Sequence, residues 1–200
     1  MNTVGTPDPT APGVDPKVLD VALAEFKALR DEIGSRATSS HTLININVVV
    51  SGVVAGLVVN NPGRVALLLL LPILSPVLGL LWLDHAHNIR NLGDYINAML
   101  RPLIVRILGA GGDEALAWEA HVDRYERRAL LRFVPLGVPV LVLFAGVPLA
   151  SLARTVNHVT SAWHWLLWVS GALLTLGFIA LWARLILQPI VTARREARAS

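Results

Sequence analysis

Two hundred residues suffice for one or two ordinary domains, yet this composition excludes an intrinsically disordered chain and argues against a water-soluble one. Apolar residues make up 54% and charged residues 16%, against roughly 45–50% and about 25% in soluble domains, and the mean hydropathy is +0.58. Cysteine is absent, which excludes disulfides, thiolate metal sites and a cysteine nucleophile, and the net charge of +3 follows the hydropathy pattern rather than a nucleic-acid-binding patch.

Residues 1–15 hold no apolar run and read as a disordered tail, not a secretory signal. Asp15-Pro16 then predicts a helix start, a capping carboxylate before a proline at the first helical position. Over 16–41, Val18, Ala22, Phe26, Leu29 and Ile33 fall on one apolar stripe, with Lys17, Asp20, Lys27 and Asp31 opposite. Glu32 and Arg36 form an i,i+4 pair. Gly34-Ser35 and Thr38-Ser39-Ser40 should weaken this helix just before the apolar stretch that follows. The stripe needs a partner: the central segment, another subunit or the lipid surface. Its mixed charge argues against lipid.

Four stretches are long and apolar enough to cross a bilayer. They cover 42–59, 65–83, 133–152 and 163–183, the last with an alternative end at 187. Asn60-Asn61-Pro62-Gly63 makes a tight turn between the first two. The segment 84–132 reads as helical: a continuation of span two to about Leu100, an interruption at Pro102, a short apolar piece, a break at Gly109–Gly112 and a helix capped by Asp113. A basic tail occupies 188–200.

Cations give the orientation. Fifteen lie in alternate segments: Lys17, Lys27, Arg30 and Arg36; Arg90, Arg101, Arg106, Arg124, Arg127, Arg128 and Arg132; Arg184, Arg194, Arg195 and Arg198. The two intervening links hold only Arg64 and Arg154. The positive-inside rule then puts both termini and the central segment in the cytoplasm. Trp163, Trp165 and Trp168 at the outer end of span four, and Trp82 and Trp182 at inner ends, suit headgroup boundaries. Richness in Arg, Ala, Val, Leu and Gly suggests a GC-rich bacterial genome, hence a bacterial plasma (inner) membrane.

The densest polar run is Asp84–Asp94. On a helix, Asp84, His87, Asn88 and Asn91 share a face, as do His87, Asn91 and Asp94, and His41 would approach from the inner end of span one. One reading is a hydrogen-bonded polar collar where two helices leave the membrane; the other is a metal or catalytic site. Within span one, Asn45, Asn47 and Ser51 need partners in hydrocarbon, and Gly52 and Gly56 form a GxxxG match that allows close helix approach. These residues serve either packing between spans or a pore. Pro72, Pro76, Pro135, Pro139 and Pro148 should bend their helices. No HExxH, GxSxG or Walker A motif occurs.

The runs EFKALRDEIGSR at 25–36, HTLININ at 41–47 and LPILSPVLGLLWLDHAHNIRNLGDYI at 71–96 resemble uncharacterised multi-pass membrane proteins of actinobacteria. An α-helical cytoplasmic part beside a membrane hairpin also resembles, by architecture, predicted pore-forming effectors of bacterial nucleotide-signalled defence systems. The expectation is therefore an all-α, four-helix transmembrane bundle with a cytoplasmic N-terminal amphipathic helix and a central cytoplasmic helical segment. It should act as a membrane-tethered interaction or signalling module, without catalytic activity, metal or cofactor. Its partners would be the lipid bilayer and a second copy or another protein at the Val18–Ile33 stripe, not nucleic acid. The alternatives are an oligomeric channel and a metal-dependent membrane enzyme.

Overall fold

The computed structural model describes residues 16–108 and 137–199, with side chains to Leu185. The expected tail 1–15 and the Asp113 helix lie outside the described residues. Every regular element among those described is helical. Four helical stretches are long and apolar enough to cross a membrane: Lys17–Asn60, Pro62–Leu108, Gly137–His158 and Ala162–Leu185.

Helix α1 runs from Pro16 to Asn60 without a break, 45 residues or about 68 Å at 1.5 Å per residue. The weakening expected at 34–40 does not interrupt it. Thr38, Ser39, Ser40 and Thr42 turn their hydroxyls back onto the carbonyls of Gly34, Ser35, Arg36 and Thr38, at 3.0–3.1 Å. Their polarity is thereby satisfied within the helix. Low helix propensity here is outweighed by packing along the neighbouring helix.

The turn that ends α1 is built by Asn61, whose N–H donates to Leu57 O at 3.1 Å and whose side chain accepts from the Gly63 N–H at 3.2 Å. A 3-10 segment, Pro62–Leu70, follows. It is kinked at Arg64 (φ −97°, ψ 20°), so the turn extends to that residue and span two rises from there as a thin, stretched helix. It widens into α2, Leu71–Tyr95, with Pro72 near the start, where a missing N–H is tolerated, and Pro76 inside.

Beyond α2 the helix passes through a π turn, Ile96–Leu100, into α3, Arg101–Leu108. Pro102 was expected to interrupt the helix here; instead the extra residue of the π turn takes it in. The Arg101 N–H reaches back five residues to Ile96 O, which moves the preceding turn away from the proline ring. Span three uses the same device. A π turn, Val142–Gly146, precedes α4, Val147–Thr155, with Pro148 at its second position and the Val147 N–H on Val142 O. Helix α5 runs from Ala162 to Ala199, past the expected limit of span four and through most of the basic tail.

Two cores result. The first joins Leu83, Phe144, Ala145 and Phe178, with Ile44, Trp82 and Trp182 against it. The Phe144 and Phe178 rings meet edge to face, centroids 6.0 Å apart at 61°. Close approach of α2 and α5 depends on two glycines. A Cβ on Gly171 would stand 2.9 Å from Pro72 Cβ, and one on Gly79 2.7 Å from Phe178 Cε2. Pro72 and Gly79 are seven residues apart, as are Gly171 and Phe178. The helices therefore run parallel in a heptad-like register.

The second core lies at the far end of α1. Ala22, Leu100 and Ile104 are buried together, with Leu19, Phe26 and Leu29 packed on them. Of the partners open to the Val18–Ile33 stripe, the chain's own π turn and α3 fill most of it. Val18 and Val21 remain exposed, at 47% and 67%. Helix α1 with α2–α3 thus forms a long antiparallel stalk that continues the first hairpin.

Candidate functional site

The Asp84–Asp94 run falls on α2, where helical spacing turns Asp84, His87, Asn91 and Asp94 to solvent. Two rungs order it: the Asn88 amide donates to Asp84 Oδ2, and the Asn91 amide to His87 Nε2, both at 3.1 Å. Both rungs stay within one helix. His41 is exposed and bonded to neither rung, so the collar does not join the two helices as the sequence suggested. No three His, Asp or Glu side chains of the described residues converge as metal ligands would. Arg36 forms its expected ion pair with Glu32, Nε to Oε1 at 2.6 Å.

Beside its apolar core, the stalk is bridged by a polar pair that periodicity did not single out. Tyr95 Oη donates to Glu25 Oε1 at 2.8 Å, across 70 residues of chain. The hydrogen bond to Glu25, then its negative charge, then desolvation raise the Tyr95 pKa above the ordinary 10.0. A raised folded-state pKa means that the latch contributes fully below the ordinary tyrosine value and is lost as pH climbs through the folded one. Spin labels at Leu23→Cys and Ala98→Cys, in a chain without native cysteine, should report a distance distribution that broadens at alkaline pH. Adding Tyr95→Phe should remove that pH dependence, because no titratable hydroxyl then faces Glu25, while the Ala22–Ile104 core keeps the helices paired.

Within the apolar bundle, Asn47 is fully buried. Its Nδ2 donates to Leu143 O at 3.2 Å. The backbone explains why that carbonyl is available. The Val147 N–H has gone to Val142 O, and the next residue, Pro148, has no N–H to offer. A side chain of span one thus supplies the donor that the proline of span three removes, as apolar surroundings demand. Asn45 is exposed, away from this contact.

The GxxxG pair does not serve packing between spans. A Cβ on Gly52 or Gly56 would meet nothing within 4 Å, so this face of α1 is open. Gly79 and Gly171 do that work, and no short motif marks them. At the opposite end of the bundle from the stalk, Trp168 Nε1 donates to Leu152 O at 3.1 Å and its ring meets that of Trp165 edge to face. Trp163 is exposed, at 65%. His164 Nδ1 lies 3.1 Å from Ser161 Oγ at the start of α5, and His158 is exposed.

No protein-family model, curated protein or solved structure matches this chain.

Proposed function

We propose that the chain is a four-span protein of a bacterial plasma membrane, with both termini and the stalk in the cytoplasm, acting as a membrane-anchored helical interaction module. The observation that carries this reading is the use of Asn47. Its amide is committed to the Leu143 carbonyl inside the bundle, so the most buried polar side chain of span one repairs a helix rather than facing a water-filled pore. The orientation rests on the distribution of Lys and Arg. The stalk carries recognition surface away from the bilayer, with Val18, Val21, Met99 and Leu103 exposed on it. A second copy would pack at the open α1 face of Asn45, Gly52 and Gly56, where small residues allow close approach and a lipid-facing amide gains a partner. No catalytic role, metal or cofactor belongs to this reading.

Reconstitution into planar bilayers tests it. The native protein should give no conductance, and Asn47→Leu should leave the bilayer silent while lowering stability by about 0.6–2 kcal/mol. A reproducible conductance that changes in Asn47→Leu would replace the module with a channel.

A further inference from the structure

We infer that the bundle encloses a bound water molecule, held by Asn47 Oδ1, Ser51 Oγ and Ser75 Oγ. This goes beyond the module reading and does not depend on it. All three atoms are buried and have no hydrogen-bond partner within the protein. That sets them apart from other hydroxyls in the membrane-crossing helices. Ser151, Thr155 and Thr175 bond to the carbonyls four residues back, at 2.8–3.0 Å, and Ser170 to the carbonyl three back, at 3.1 Å. Ser51 and Ser75 sit in helices with the same option and do not take it.

The contacts bring the three groups to neighbouring levels. Asn47 bonds to Leu143, and the next residue, Phe144, has its Cβ 3.0 Å from where a Cβ on Gly79 would stand. Helices α1 and α2 are antiparallel across the Asn61 turn. One turn from Asn47 toward Asn61 lies Ser51, and one turn from Gly79 in the same direction lies Ser75. The two hydroxyls thus flank one level, with the amide oxygen a turn away.

The donor set fits water. Three neutral oxygens lie within the two to four partners that a buried water requires, whereas a monovalent cation would need more ligands and a divalent one carboxylates. Pro76 adds a reason for water here, since it deprives the Pro72 carbonyl of its i+4 donor one turn before Ser75.

The sign of a stability change decides the matter. A buried hydroxyl with no partner weakens a fold, so its removal raises Tm. A hydroxyl that holds a shared water does the reverse. Ser51→Ala and Ser75→Ala should each lower Tm of the full chain, relative to Ser170→Ala as a baseline for helix propensity. The double variant should lose less than the two singles together, because the first change already releases the water. A rise in Tm in either single variant, or strict additivity, overturns the proposal. Nuclear Overhauser cross-peaks from long-lived water to the Asn47 amide should appear in the native chain and vanish in Ser75→Ala. Their absence from the native chain also overturns it. A Tm that follows exchange of sodium or potassium for choline, and ceases to do so in Ser75→Ala, would reassign the site to a cation.

Discussion

Gly171→Ala is expected to destabilise the bundle by about 1–3 kcal/mol, the range for overpacking a filled site. The added methyl would lie 2.9 Å from Pro72 Cβ, 3.0 Å from its Cγ and 3.3 Å from its backbone carbon. A proline ring in a helix has no rotamer with which to retreat, so the helices must part. The same change at Gly52 or Gly56 meets no atom within 4 Å. In the isolated chain it should be neutral or slightly stabilising, by the usual preference of helices for alanine. Reversible unfolding in detergent, at a dilution where the chain is monomeric, checks both halves of the contrast. Equal costs at Gly171 and Gly52 would mean that helices α2 and α5 are not packed through Gly171.

Phe178→Ala is expected to cost about 3–4 kcal/mol. The ring is fully buried and meets Phe144 edge to face. In water such a truncation loses both transfer energy and packing. In the proposed membrane setting lipid tails surround the bundle and the transfer term largely vanishes. What remains is a cavity of roughly 100 Å³, at ~24 cal/mol per Å³, together with the lost ring contact. Gly79 packs against the same ring. Phe178→Ala should therefore relieve the overpacking of Gly79→Ala, and the double variant should be more stable than the sum of the two singles predicts. Simple additivity in the unfolding measurement would contradict the contact.

The all-α class and the four apolar helices were legible because both follow from chain-local quantities: hydropathy, length and the absence of charge. The apolar stripe from Val18 to Ile33 was legible as a periodicity. Its partner was not, because stripe and α3 are brought together only by the antiparallel course of the hairpin. The continuity of α1 was missed since serine, threonine and glycine count against a helix locally, while tertiary packing decides. The 3-10 course of Pro62–Leu70 and the two π turns have no pattern in hydropathy. Both π turns precede a proline, Pro102 and Pro148. The polar residues show the same split. Burial need identified Asn47, but its bond to Leu143 depends on which carbonyl Pro148 frees 96 residues away. The GxxxG spacing points to Gly52 and Gly56, whereas Gly79 and Gly171 matter through what stands opposite them.

An unbroken α1 has a mechanical meaning. The same rigid helix crosses the apolar bundle and reaches the Ala22–Ile104 core, so the two ends cannot reorient independently. From His41 to Pro16 the lever is roughly 38 Å at 1.5 Å per residue. A 5° change of tilt within the bilayer then carries the tip about 3 Å, close to the width of one atom layer. In the proposed topology, any change of tilt that helix packing and the bilayer impose on α1 is thereby converted into displacement of the stalk surface.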